Sequence, residues 1–183
     1  MPATRHRFTL DDWRQMVDAG VFREDRRLEL LDGEIYDMTP IGSSHHGVVN
    51  FLNRFWTSRL GTQAVVSVQG PVTAPPRSEP QPDVAILRDR TDFYRTAHAN
   101  PDDTLLVIEV ADSSLDYDRA KLRFYAEAGM REVWIVNLQD EQVEIYRTPR
   151  GGTYDVVRTV TRGESASCLA FPDVALSVND VLG

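Results

Sequence analysis

The sequence predicts an α/β (α+β) fold, a mixed sheet flanked by helices, and three observations carry that expectation. Pro82-Asp83-Val84-Ala85-Ile86-Leu87 and Leu105-Leu106-Val107-Ile108-Glu109-Val110 are short Val- and Ile-rich runs of the kind buried on both faces of a sheet. Ahead of them Val48, Val49, Leu52, Phe55 and Trp56 recur at helical spacing, which marks a core-facing helix. Leu28 to Met38, interrupted by Asp32-Gly33, reads as a hairpin, because Asp-Gly favours a two-residue type I′ turn.

Taken in order, the chain opens with a helix that Thr9 caps, Asp12 completes as a capping box, Phe8 staples onto Trp13 and Gly20 stops. In the hairpin, the turn register sets Leu31 opposite Glu34 and Glu29 opposite Tyr36, so Glu29 and Glu34 share a face. Two such acids are the wet side of a hairpin unless that face turns toward Asp83. The loop Pro40-Ile41-Gly42-Ser43-Ser44 leads into a helix from about His45 to Leu60, with Ser43 or Ser44 as its cap and His45 in its first turn. Ala64 to Gln69 is a further strand, and the proline-rich stretch Pro75 to Pro82 delivers the chain to Asp83. Arg88 to Asp103 is read as a charged loop with a helical turn around Asp92 to Arg95.

After the second Val/Ile run, Ala111-Asp112-Ser113-Ser114 is a polar start for a helix ending near Ala128 and Gly129. On it Asp118, Lys121 and Tyr125 fall on one face at i, i+3 and i+7. Glu132 to Val136 pairs with Val143 to Arg147. Tyr154 to Thr161 and Ser167 to Phe171 are antiparallel strands, and Ser177 to Leu182 is a capped helical turn. The expected organisation is one domain over 1–183, with an N-terminal helix and hairpin in 1–40, a core in 44–137 and C-terminal antiparallel strands in 138–183.

Composition narrows the function classes. With 183 residues, 42% of them hydrophobic, the chain is long enough for one domain with a real core. No apolar run approaches the roughly 20 residues of a membrane span, and Met1 to Arg7 leads into no apolar signal-peptide region. The single cysteine, Cys168, excludes an internal disulfide and a Cys-based zinc cluster, and it reads as a buried structural thiol. These features point to the cytoplasm. A formal charge of -8 counts against a broad nucleic-acid-binding surface. A metal nuclease nevertheless keeps carboxylates in its site.

Asp83 and Glu109 carry the chemistry. Acidic residues are rarely buried without a partner, because desolvating the charge costs more than packing returns. Alone, Asp83 is explained as a turn cap and Glu109 as an arginine partner. Together, with Lys121 on the next helix, they favour a divalent metal site. No internal repeat, phosphate-binding glycine loop or zinc-ligand spacing competes with that reading.

An ordered series of segments matches a known group. It runs through Glu29-Leu30-Leu31-Asp32-Gly33-Glu34-Ile35, Met38-Thr39-Pro40-Ile41-Gly42-Ser43-Ser44-His45 and Val68-Gln69-Gly70-Pro71-Val72. It continues through Pro82-Asp83-Val84-Ala85, Val107 to Ser114, Asp118 with Lys121, Tyr125-Ala126, Gly129 and Glu132 to Val136. From Phe8 to Leu182 the chain resembles the Uma family, whose members carry the label putative restriction endonuclease, within the PD-(D/E)xK nuclease superfamily. The resemblance implies a restriction-endonuclease-like fold, with Asp83 and Glu109 binding Mg²⁺ (or Mn²⁺) and a lysine orienting or activating the attacking water. The lysine expected two positions after the glutamate is replaced by Ala111, and Lys121 is its natural substitute. Glu34, with Glu29 and His45, completes the implied site, His45 assisting proton transfer, and Gln69 is an accessory candidate.

The implied function is Mg²⁺-dependent hydrolysis of phosphodiester bonds in nucleic acid, DNA in particular, with no membrane partner and a homodimer left open. On this reading Lys121→Ala is expected to leave folding nearly intact and to abolish hydrolysis. Two rivals remain: a nuclease-fold module without catalysis that serves in binding or assembly, and a Cys-His hydrolase built on Cys168 and His45.

Overall fold

Local signals set the N-terminal elements. The computed structural model describes residues 3–23, 26–38, 40 and 42–183, so Ile41 of the expected loop and Thr39 just before it lie outside the described residues. Helix α1 (Leu10–Asp18) starts on the capping box, with Thr9 Oγ1 accepting from Asp12 N at 3.1 Å and Thr9 N donating to Asp12 Oδ2 at 2.9 Å. Phe8 and Trp13 pack with Leu28 and Leu30 in a small cluster of their own. Strands β1 (Leu28–Leu31) and β2 (Glu34–Asp37) pair in the expected register. Asp32 and Gly33 both take positive φ, 46° and 77°, as a type I′ turn requires. Gly33 is also needed for space, since a Cβ there would meet Phe8 O at 2.7 Å.

The chain continues through α2 (Ser43–Leu60), β3 (Ala64–Val68), β4 (Val84–Arg88), β5 (Thr104–Ala111) and α3 (Leu115–Glu127). It closes with β6 (Glu132–Asn137), β7 (Gln142–Arg150), β8 (Thr153–Thr161), β9 (Ser165–Cys168), β10 (Phe171–Ser177) and α4 (Val178–Leu182). Six strands form one sheet in the order β3-β4-β5-β6-β7-β8, while β9 and β10 pair separately. Only β5 and β6 run parallel within that sheet, and α3 is the crossover that a parallel pair needs.

Side-chain alternation divides the core into two layers. Val84 and Ile86 of β4, Leu106, Ile108 and Val110 of β5, and Trp134 of β6 face α2, where Val49, Leu52 and Trp56 meet them. Ala85, Leu87, Val107 and Val133 face the other way, onto Tyr125 and Ala126 of α3 and onto Met130. Burying each large apolar side chain stabilises by about 1.5–3 kcal/mol, so both helices are held against fixed strand positions. By the same alternation Glu109 must point at α3. The β4–β5 register pairs Val84 with Ile108, which sets Asp83 alongside Glu109 at the sheet's end.

Local details differ from expectation. Helix α2 is capped by Gly42, whose carbonyl accepts from His46 N at 3.0 Å, and neither Ser43 nor Ser44 serves as cap because the backbone turns helical one residue earlier. His45 therefore lies at the third helical position. Asp92 to Arg95 is not helical: Phe93 and Tyr94 take φ of 50° and 61°, and the Asp92 carboxylate holds them there by accepting from Arg90, Tyr94 N and Thr96. The expected strand Ser167 to Phe171 is split by a turn: Ser167 and Cys168 end β9, Leu169 and Ala170 turn, and Phe171 begins β10. Among the described residues no helix is long and apolar enough to cross a membrane.

Candidate active site

Asp83 and Glu109 meet where β4 begins and β5 ends. Asp83 N donates to Glu109 Oε2 at 3.3 Å, and Val110 N donates to Asp83 Oδ2 at 2.9 Å, so each carboxylate is tied to the other's strand. From α2, His45 Nε2 lies 2.9 Å from Asp83 Oδ2. From α3, Lys121 Nζ lies 2.8 Å from Glu109 Oε1 and 3.2 Å from Glu29 Oε2. Tyr125 OH donates to Glu109 Oε1 at 2.5 Å, and Tyr117 OH donates to Glu29 Oε1 at 2.5 Å. Glu29 Oε2 also accepts from Gln81 N at 2.9 Å. Ser114, at the start of α3, spends its hydroxyl on Asp118 Oδ2 at 2.6 Å and makes no capping bond.

Glu29, Lys121 and Glu109 are 0%, 1% and 2% exposed. Burial on that scale controls their protonation. Burial pushes Glu109 up to about 8; Lys121 acts against the shift, and Asp118, Asp83 and Glu29 add to it. Asp118 is likewise pushed up to about 6 by burial, against Lys121 and the Ser114 bond. For Lys121, burial disfavours the ammonium, but Glu109, Glu29 and Asp118 outweigh it and hold the amine protonated far above its usual range. His45 is raised as well, the Asp83 bond and charge overcoming burial. The cluster grips protons at acid and base alike, which is what a surplus of buried negative charge requires.

Above these groups opens a cavity of about 390 Å³. Its floor is Asp83, Glu109, Asp118, Lys121 and His45, all buried, and its rim includes Tyr36, Asp37, Pro40, Gly42 and Ser113, all exposed. Residues 10–179 match the Uma2 family, described as "Putative restriction endonuclease". The chain belongs to the Uma2 family. No curated protein matches the sequence. A crystal structure of "a putative nuclease belonging to DUF820" from Anabaena variabilis shares the fold with a TM-score of 0.74, at 14% identity over 96% of this chain and 97% of that one.

Of the residues singled out from the sequence, this Uma2 chain brings Asp83, Glu109, Lys121 and His45 together, with Glu29 directly behind Lys121. It does not bring in Glu34. That side chain sits at the turn end of a four-residue ribbon, 3.5 Å from Arg7 and 3.9 Å from Arg5, and accepts from Tyr36 OH at 3.1 Å. Sharing a ribbon face with Glu29 is not enough, because only the far end of the ribbon lies against α3. Gln69 contributes backbone alone: its N donates to Asp83 O at 3.0 Å, and its side chain does not line the cavity. Cys168 is packed in the α2-side core, where burial pushes its thiol up, so it forms no pair with His45. Tyr117 and the bonding role of Tyr125 were missed, although Tyr117 stands one helical turn before Lys121 and Tyr125 one turn after it.

Two outcomes follow from this geometry. Because the folded state binds protons more tightly at Glu109 and Asp118 than their ordinary 4.5 and 3.8, their stabilising contribution is complete at low pH and is lost as pH rises through about 6 and about 8. The melting temperature of chelator-treated protein should therefore fall from about pH 4.5 to about pH 8, and Glu109→Gln should flatten the upper part of that fall. A melting temperature rising across this window would contradict the assignment. The second outcome corrects the expectation for Lys121→Ala. Removing a buried ammonium strands Glu29 and Glu109, and urea unfolding should show a loss of about 3–5 kcal/mol; a loss below about 1 kcal/mol, as for an exposed ion pair, would show that the pairing is weak.

Proposed function

We propose that this chain is a divalent-metal-dependent nuclease that hydrolyses phosphodiester bonds in DNA. The observation that carries it is the charge imbalance: Glu29, Asp83, Glu109 and Asp118 gather around the single ammonium of Lys121. A structural ion pair needs no such surplus of buried acid, whereas a cation site does. The Uma2 family supports the nuclease reading.

The donors suit Mg²⁺ or Mn²⁺. Asp83 and Glu109 offer hard carboxylate oxygens, and Lys121 already places a cation against Glu109 Oε1. Among the described residues no three His, Cys, Asp or Glu side chains form a ready ligand set. Mg²⁺ takes one or two protein carboxylates and fills its remaining positions with water and substrate phosphate. Asp83 and Glu109 would hold the ion. Once bound, it supplies a water of lowered pKa and polarises the phosphoryl oxygens.

The protein's own groups do the rest. Lys121 Nζ stays protonated and offers its N–H donors where negative charge develops on the phosphate, or to the attacking water. Glu29 and the Tyr117 hydroxyl bonded to it hold that ammonium from behind. Tyr125 and Lys121 fix one oxygen of Glu109, and the Asp83 amide holds the other. His45 steadies Asp83 through Nε2.

Purified protein incubated with DNA should cleave it in Mg²⁺ or Mn²⁺ and stop when the metal is chelated. Asp83→Asn, nearly isosteric, should lower the rate by about 100-fold or more, since even outer-shell changes cost 10–100-fold. Wild-type protein that folds and binds DNA but cuts none would be a binding module instead.

A further inference from the structure

We propose that the cavity admits an unpaired nucleotide, so that the substrate of this site is single-stranded DNA, with Tyr36 as the platform on which a base stacks. This rests on the nuclease reading above. Depth is the first ground. The proposed catalytic groups Asp83, Glu109 and Lys121 are buried at the cavity floor, beneath an exposed rim that includes Tyr36, Asp37 and Pro40. A phosphodiester reaches them only by entering the cavity. A volume of about 390 Å³ lies in the range of small-ligand pockets and is suited to one nucleotide.

The wall is the second ground. Tyr36 is 37% exposed and lines the cavity. Its hydroxyl donates to Glu34 at 3.1 Å, and its ring rests on Tyr117 with centroids 5.8 Å apart. Tyr117 is in turn tied through its hydroxyl to buried Glu29. The Tyr36 ring is thereby held in place with aromatic surface open at the cavity mouth. Stacking on such a ring accepts any base, because every base has a π-face.

Charge is the third ground. Duplex binding is dominated by basic contacts to two phosphate backbones, yet the formal charge is -8 and the cavity is lined by Asp37 and Asp112 in addition to the floor acids. A neutral base face passes those acids more readily than a second backbone does.

The test compares one fluorescent oligonucleotide, single-stranded and fully paired, for cleavage in Mn²⁺ and for binding by anisotropy in Ca²⁺. Single strand should be cut at least about 10-fold faster. Tyr36→Ala should raise KM for it about 10-fold with kcat little changed, while Tyr36→Phe, which keeps the ring and loses only the bond to Glu34, should raise it less. Equal or faster cutting of the duplex, or an unchanged KM in Tyr36→Ala, would overturn the proposal. If neither DNA is cut, the nuclease reading fails and the binding arm still decides this one. Single strand should then bind more tightly than its abasic counterpart in wild type but not in Tyr36→Ala; no difference in wild type would overturn it.

Discussion

The ammonium of Lys121, held between Glu29 and Glu109, is the interaction on which the rest depends. It joins three pieces of chain at one point: the hairpin β1–β2 through Glu29, the central sheet through Glu109, and helix α3 through Lys121 itself. Taking any of these charges out of water alone would cost several kcal/mol. They are tolerable only together, and the pairing of Leu30 with Glu79 docks the hairpin where Glu29 can join them. Tyr117 and Tyr125, on either side of Lys121 along α3, extend the same tie by donating to Glu29 and Glu109.

Other buried acids of this protein show what a purely structural arrangement looks like. Glu144 accepts from Arg119, Tyr146 and Asn137, and despite burial these partners hold its carboxyl below the usual range. Glu132 is clasped by Arg147 and also accepts from Trp134 Nε1 and Leu169 N, pinning the β9–β10 hairpin to the sheet. In both, donors meet the demand of one acid. Around Glu109 burial is complete, Lys121 is shared with Glu29, and Asp118 and Asp83 crowd in, so its carboxyl is pushed up. The fold can satisfy buried carboxylates elsewhere, and the surplus around Glu109 is the feature on which the proposed metal site rests.

Much of this was legible in the residues. The capping box at Thr9 and Asp12, the type I′ turn at Asp32-Gly33 and the shared helix face of Asp118, Lys121 and Tyr125 are short-range patterns, and each formed as its local chemistry directs. The adjacency of Asp83 and Glu109 was readable because sequential strands tend to pair. What failed depended on tertiary packing. Pattern alone put Glu29 and Glu34 on one face and could not say which end of the ribbon would lie against α3. Two serines next to a glycine disguised Gly42 as the cap of α2. The paired left-handed residues Phe93 and Tyr94 are fixed by the carboxylate of Asp92, a bond no propensity anticipates.

The central claim is that the carboxylate surplus at Asp83 and Glu109 is completed by a divalent cation. Calorimetric titration of chelator-treated protein with Mn²⁺ and Mg²⁺, repeated near pH 7 in buffers of different ionisation enthalpy, tests it most directly. A Glu109 carboxyl pushed up to about 8 must give up its proton to bind a metal. One ion per chain should therefore bind with measurable proton release, and Asp83→Asn should weaken that binding by at least about 10-fold. No binding at millimolar metal, or binding that releases no proton and ignores Asp83→Asn, would contradict the account.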